Sequence, residues 1–175
     1  CCLLYDAQGT CLRALQRPDV VCWSIPSWLT SLAVADIDAD GAAEVIVGMD
    51  TNHRQLILYD ASGRILWDAD LGSAVSCMVV EHGRIYAGTE GGWLHTFAPQ
   101  GQRLARVNVH RPVRALAPVT ADRNLVALDD GTIVVASPPG ATAAGTLGVT
   151  GRATFWPGHG LLVSPEGGGS VALYR

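Results

Sequence analysis

Short apolar runs separated by glycine-bearing polar turns recur along the whole chain. Residues 56–67 read Leu-Ile-Leu-Tyr-Asp-Ala-Ser-Gly-Arg-Ile-Leu-Trp: an apolar run, a turn ending at Gly63, then a second apolar run. Residues 93–104 repeat this layout around Gly101, residues 132–143 around Gly140, and residues 3–12 around Gly9. Gly63, Gly101 and Gly140 are 38 and 39 residues apart. Upstream of these turns lie further pairs of β-rich runs: 74–80 with 84–88, 113–119 with 124–128, and 153–156 with 161–164. Glu90-Gly91-Gly92, Asp129-Asp130-Gly131 and residues 166–169 supply the turns between second and third runs. Gly-containing turns between apolar runs are hairpin signals, so the repeating unit is four short antiparallel strands in about 40 residues.

A single four-stranded sheet cannot cover both of its faces. Blades packed face to face around an axis solve this and limit exposed edges. The expected fold is therefore all-β, a β-propeller with about four blades in this chain. A sandwich would also place strands at short spacing, but not at a near-constant 38–39 residue period. The expected boundaries are a partial blade over residues 1–16, blades over 31–72, 73–110 and 111–151, and a partial blade over 152–175. The chain opens in a third strand and closes in one. That phase leads to the expectation of an open arc cut from a larger propeller of six to eight blades, with the remaining blades of the same propeller as its first partners.

Composition narrows the class. The chain has 175 residues, of which 49% are apolar and 16% charged, which is globular. The net charge is −4 with no Lys/Arg cluster, which argues against nucleic acid as a partner. Residues 20–35 and 131–151 carry no charge, but both are broken by Pro, Ser and Thr and neither reads as a membrane span. Cys1, Cys2, Cys11, Cys22 and Cys77 are odd in number and lack metal spacing. They read as small buried residues, with a disulfide as the alternative.

One stretch carries metal chemistry. In Asp36-Ile-Asp38-Ala-Asp40-Gly41-Ala42-Ala-Glu44, aspartates at loop positions 1, 3 and 5 offer hard oxygens to one centre. Gly41 lets the backbone turn, Ala42 offers its carbonyl, and Glu44 can close the shell. Hard oxygen donors in a flexible loop suit Ca²⁺. An EF-hand needs a glutamate at position 12 and flanking helices; position 12 here is Val47 and the flanks read as strands. The alternative is an acidic turn held by Asx hydrogen bonds without metal.

This stretch resembles an FG-GAP/VCBS repeat, the calcium-loop blade of integrin alpha-subunit propellers and many bacterial surface proteins. The resemblance implies Asp36, Asp38, Asp40, Glu44 and the Ala42 carbonyl as metal ligands. Residues 83–97 (Gly-Arg-Ile-Tyr-Ala-Gly-Thr-Glu-Gly-Gly-Trp-Leu-His-Thr-Phe) and 63–67 are similar to quinoprotein-like (pyrroloquinoline-quinone-type) propeller repeats, a looser likeness that covers most of the chain.

Catalytic signatures such as GxSxG, HExxH or a P-loop are not found in the sequence. His53, His82, His95, His110 and His159 are scattered singly and read as solvated loop or strand-face residues. Asp68 and Asp70 alternate on a solvated sheet face. Trp23, Trp28, Trp67, Trp93 and Trp156 are expected to pack between blades. The resulting expectation is a non-catalytic, calcium-stabilised binding or scaffold propeller in a larger extracytoplasmic protein, with a protein or glycan ligand. The alternative is part of a propeller enzyme, either a quinone-dependent dehydrogenase or a polysaccharide lyase or hydrolase.

Overall fold

The computed structural model describes residues 2–5, 8, 10–15, 29–50, 55–146, 151–156, 160–165 and 172–174. Among them there are strands and turns but no helix, and hence none that could cross a membrane.

Three four-stranded antiparallel sheets follow one another along the chain. The first holds β3 (Leu29–Ala35), β4 (Glu44–Met49), β5 (Leu56–Tyr59) and β6 (Ile65–Ala69). The second holds β7 (Val75–Glu81), β8 (Arg84–Thr89), β9 (Trp93–Phe97) and β10 (Arg103–Asn108). The third holds β11 (Val113–Thr120), β12 (Arg123–Leu128), β13 (Thr132–Ser137) and β14 (Gly140–Thr146). Ahead of them β1 (Cys2–Tyr5) pairs with β2 (Cys11–Leu15). After them β15 (Gly151–Trp156), β16 (Gly160–Pro165) and β17 (Ala172–Tyr174) form a three-stranded sheet.

Within each four-stranded sheet the strand order is the chain order, the simplest product of consecutive hairpins. The first strands β3, β7, β11 and β15 neighbour one another in succession, so consecutive sheets meet at their first strands. Burial follows from this stacking. Along the middle strands of the first two sheets burial does not alternate: β4, β5, β8 and β9 are almost wholly buried because both of their faces are covered, even at Glu44, Thr89, His95 and Thr96. The outer strand β6 alternates half-buried with exposed positions, and β14 is mostly exposed.

Two apolar layers lie between the sheets. The first joins Ile46, Leu56, Leu58 and Trp67 to Val75, Ile85 and Phe97. The second joins Tyr86, Leu94 and Val107 to Val113, Leu116, Val126 and Ala136. Close approach at the first strands needs a glycine opposite. A Cβ on Gly48 would lie 2.7 Å from Val75 Cγ1, and one on Gly88 would lie 2.5 Å from Val113 Cγ1.

Trp67 ties the first layer together. Its ring stacks on Phe97 with centroids 5.6 Å apart, and its Nε1–H donates to the Pro99 carbonyl at 2.7 Å. The ring covers Gly101, where any Cβ would meet it at 2.8 Å. The inter-sheet packing expected for the tryptophans is thus seen at Trp67. Trp93 is half-buried beneath the Arg106 guanidinium, 3.6 Å from its ring centroid. The side chains of Trp23, Trp28 and Trp156 lie outside the described residues.

Candidate metal loop

The β3–β4 connection spans residues 36–43. Ala35 pairs with Glu44 at its base, so the two strands present the acidic loop at one end of the first sheet. The chain reverses through two left-handed residues, Ala39 (φ 63°) and Gly41 (φ 89°).

Asp36, Asp38 and Asp40 converge: one carboxylate oxygen from each lies within 4.8 Å of the others, and all three side chains are exposed. Oxygens that ligate one Ca²⁺ at about 2.4 Å from opposite sides are about 4.8 Å apart, so this spread fits a single coordination sphere. The donors are all hard oxygens, which suits calcium rather than zinc or copper. Backbone amides hold the carboxylates. Asp36 accepts from Asp40 N–H at 3.2 Å through Oδ1 and from Gly41 N–H at 3.0 Å through Oδ2. Asp38 Oδ1 accepts from Asp40 N–H at 3.2 Å, and Asp40 Oδ1 from Ala42 N–H at 2.7 Å. These bonds offset part of the mutual repulsion of the carboxylates and preset their direction.

Glu44 stands apart from this trio. It is buried, 3% exposed, and its Oε2 accepts from Ile37 N–H at 3.0 Å. It therefore clamps the start of the loop to the start of β4. Ala42 is half-buried, with its amide engaged by Asp40.

Asp68 and Asp70 are exposed at the end of β6, as the alternation implies. His82 and His110 are exposed turn residues, whereas His53 and His159 lie outside the described residues. His95 corrects the sequence reading. It is fully buried, neither ring nitrogen has a partner among the described residues, and burial lowers its pKa to about 3, helped by Arg103 and Arg106. It sits on the face of β9 shared with Phe97, packed 6.2 Å from that ring and not in solvent. Among the cysteines, Cys77 packs against the second layer and burial pushes its thiol up to about 12, so it is inert as a nucleophile. Cys11 is exposed.

Sequence reading also missed a cavity of about 510 Å³ between the second and third sheets, lined by Leu94, Thr96, Ala105, Asn124 and Pro138 among others. Comparing the repeats position by position, not only by their turn glycines, would have exposed it.

No family model matches the sequence, and no curated protein matches it. Solved structures do match in shape. The computationally designed Ika4 protein aligns with a TM-score of 0.64 at 19% identity, covering 87% of this chain and 94% of that one. BBS1N, solved in complex with ARL6DN, aligns with a TM-score of 0.63 at 14% identity over 85% of this chain. A chain of the Mitotic Checkpoint Complex aligns with a TM-score of 0.68 at 16% identity over 98% of this chain. This chain spans 48% and 55% of the latter two, about half their length. At such identities the likeness speaks to fold alone: the chain has a β-propeller-like all-β fold.

Proposed function

We propose that this chain is a non-catalytic β-propeller module, stabilised by Ca²⁺ at the β3–β4 loop, that serves as a binding or scaffold arc of a larger extracytoplasmic protein. The observation that carries this reading is the convergence of Asp36, Asp38 and Asp40 on one point. A bound cation would relieve the repulsion among them; the Ala42 carbonyl would add a donor, and Glu44 would join the shell by turning toward the loop from the Ile37 amide it now engages. Exposed loops of this kind match the weak calcium affinities of extracellular modules, where the ion is abundant. Two of the similar folds were solved in complexes, which supports a protein ligand over a glycan.

The test is calcium-dependent melting. With a Kd near 1 mM, 10 mM Ca²⁺ is expected to stabilise the folded chain by about 1.4 kcal/mol. Asp38→Ala should melt within about 0.5 kcal/mol of the wild type in chelator and gain nothing from calcium, because its side chain is exposed and serves only the loop. Absence of any calcium-induced shift in the wild type at 10 mM would overturn the metal reading.

A further inference from the structure

The two inter-sheet layers are built from the same repeat positions but filled differently. In the first layer, Leu58 pairs across β5–β6 with Trp67, and Ile85 pairs across β8–β9 with Phe97. The corresponding pairs one repeat later are Thr96 with Ala105 and Asn124 with Ala136. Each of the four positions has become smaller or more polar. Trp67, the residue that locks the first layer, has Ala105 in its place. Gly101, covered by the Trp67 ring, is matched by Gly140, which a Cβ could extend without meeting any atom within 4 Å.

The vacated space is the cavity of about 510 Å³, within the size range of small-molecule sites. Its walls are Leu94, Leu104 and Val107 on one side and Pro138, the sequence counterpart of Pro99, on the other. Arg84 lines it as well, and its Nη1 is paired with Asp122 Oδ1 at 2.7 Å. One polar group is unsatisfied. Asn124 is 3% exposed and its Oδ1 has no hydrogen-bond partner among the described residues. A buried acceptor without a donor destabilises the fold and favours any ligand that supplies the missing N–H.

We infer that this cavity is a ligand site for a small planar aromatic ring bearing an N–H donor, of the indole class. The ring fills the space that Trp67 fills one repeat earlier, turned so that its N–H donates to the unpartnered Asn124 Oδ1 and not to the carbonyl of Pro138, the counterpart of the Pro99 acceptor of Trp67. The apolar walls take the ring faces by burial. This site lies between the second and third sheets, whereas the acidic loop belongs to the first, and it does not rest on calcium.

Indole itself is the probe, titrated into the folded chain and followed by the methyl NMR signals of Ala105, Ala136 and Thr96. Saturable shifts at these methyls are expected. The same ring without its donor, 1-methylindole, should bind about tenfold more weakly. N-acetyltryptophanamide separates the sources of the ring: binding tighter than indole assigns it to a peptide, weaker binding to a small molecule, and either supports the site. Ala105→Trp should refill the slot, raise the melting temperature and abolish indole binding. Should that variant not fold, the wild-type shift map and the 1-methylindole ratio decide. No saturable shift, shifts located elsewhere, or equal binding of indole and 1-methylindole would overturn the inference.

Discussion

Gly88→Ala is expected to destabilise the protein by about 3 kcal/mol, the upper end of what overpacking a core costs. The added Cβ would lie 2.5 Å from Val113 Cγ1, 2.8 Å from Val113 Cβ and 2.8 Å from Cys77 Sγ. None of these neighbours is the far end of a flexible chain. Val113 is fully buried on β11, so relief requires the second and third sheets to separate at their closest strands. The next repeat has Ala127 where Gly88 stands, so the requirement belongs to the valine opposite and not to the strand position as such. Chemical denaturation reads the effect as a lower midpoint at unchanged m. Gly145→Ala is the control: a Cβ there meets nothing within 4 Å, and the change should stay within about 0.5 kcal/mol. A Gly88→Ala midpoint equal to that of Gly145→Ala would show that the interface yields more easily than its geometry implies.

Acid should weaken the fold through His95. In the folded chain its pKa is lowered to about 3, chiefly by burial and secondarily by Arg103 and Arg106; in the unfolded chain it titrates at the ordinary 6.5. Below pH 6.5 the unfolded state therefore binds a proton that the folded state refuses, and stability falls with pH until the folded pKa is reached. The loss attributable to this residue between pH 7 and pH 4.5 is about 2.5 kcal/mol. His95→Phe removes the titrating group and keeps a ring against Phe97. Its stability should fall less over that interval by the same amount, and it should exceed the wild type at pH 7 because two unpartnered ring nitrogens disappear. Parallel pH profiles for the two proteins would mean that His95 takes up its proton inside the fold.

The repeat was legible because its carriers are backbone signals. Gly63 and Gly101 hold the left-handed φ angles that turns demand, so their 38-residue spacing reports strand pairing directly, whereas Gly140, the third of the series, opens β14 without one. The acidic loop was legible for a similar reason: alternate aspartates around Gly41 converge whatever surrounds them, and Asp36, Asp38 and Asp40 do converge. The placement of Glu44 was harder to foresee. At the mouth of a β-hairpin a carboxylate can face the loop or the strand amides, and here its Oε2 takes the Ile37 amide. His95 was misread because strand alternation gives a face and not what covers it. On an outer sheet face it would be solvated, but β9 is a middle strand with a neighbouring sheet on that side. The cavity escaped notice because apolarity alone does not distinguish Trp67 from Ala105; volume does.

Unequal filling of the two layers also bears on how the molecule comes apart. Each four-stranded sheet is made of consecutive strands, so its hydrogen bonds close over short stretches of chain, and long-range cohesion passes through the layers between sheets and through polar contacts at their edges, such as Arg103 to the Asp70 carbonyl, Arg84 to Asp122 and Arg114 to Glu90. In such stacked architectures cooperativity is a nearest-neighbour property, strongest where adjoining units interdigitate. The junction sealed by Trp67 and Phe97 couples the first and second sheets into one cooperative block. The junction at Ala105 and Asn124 holds a cavity instead, and it is expected to open first although the Arg84–Asp122 and Arg114–Glu90 pairs at its edges, both partly exposed, also span it. Amide hydrogens of β11–β14 should therefore exchange through a partial opening that leaves β3–β10 protected, which places the mechanical weak point of the described sheets between Asn108 and Val113.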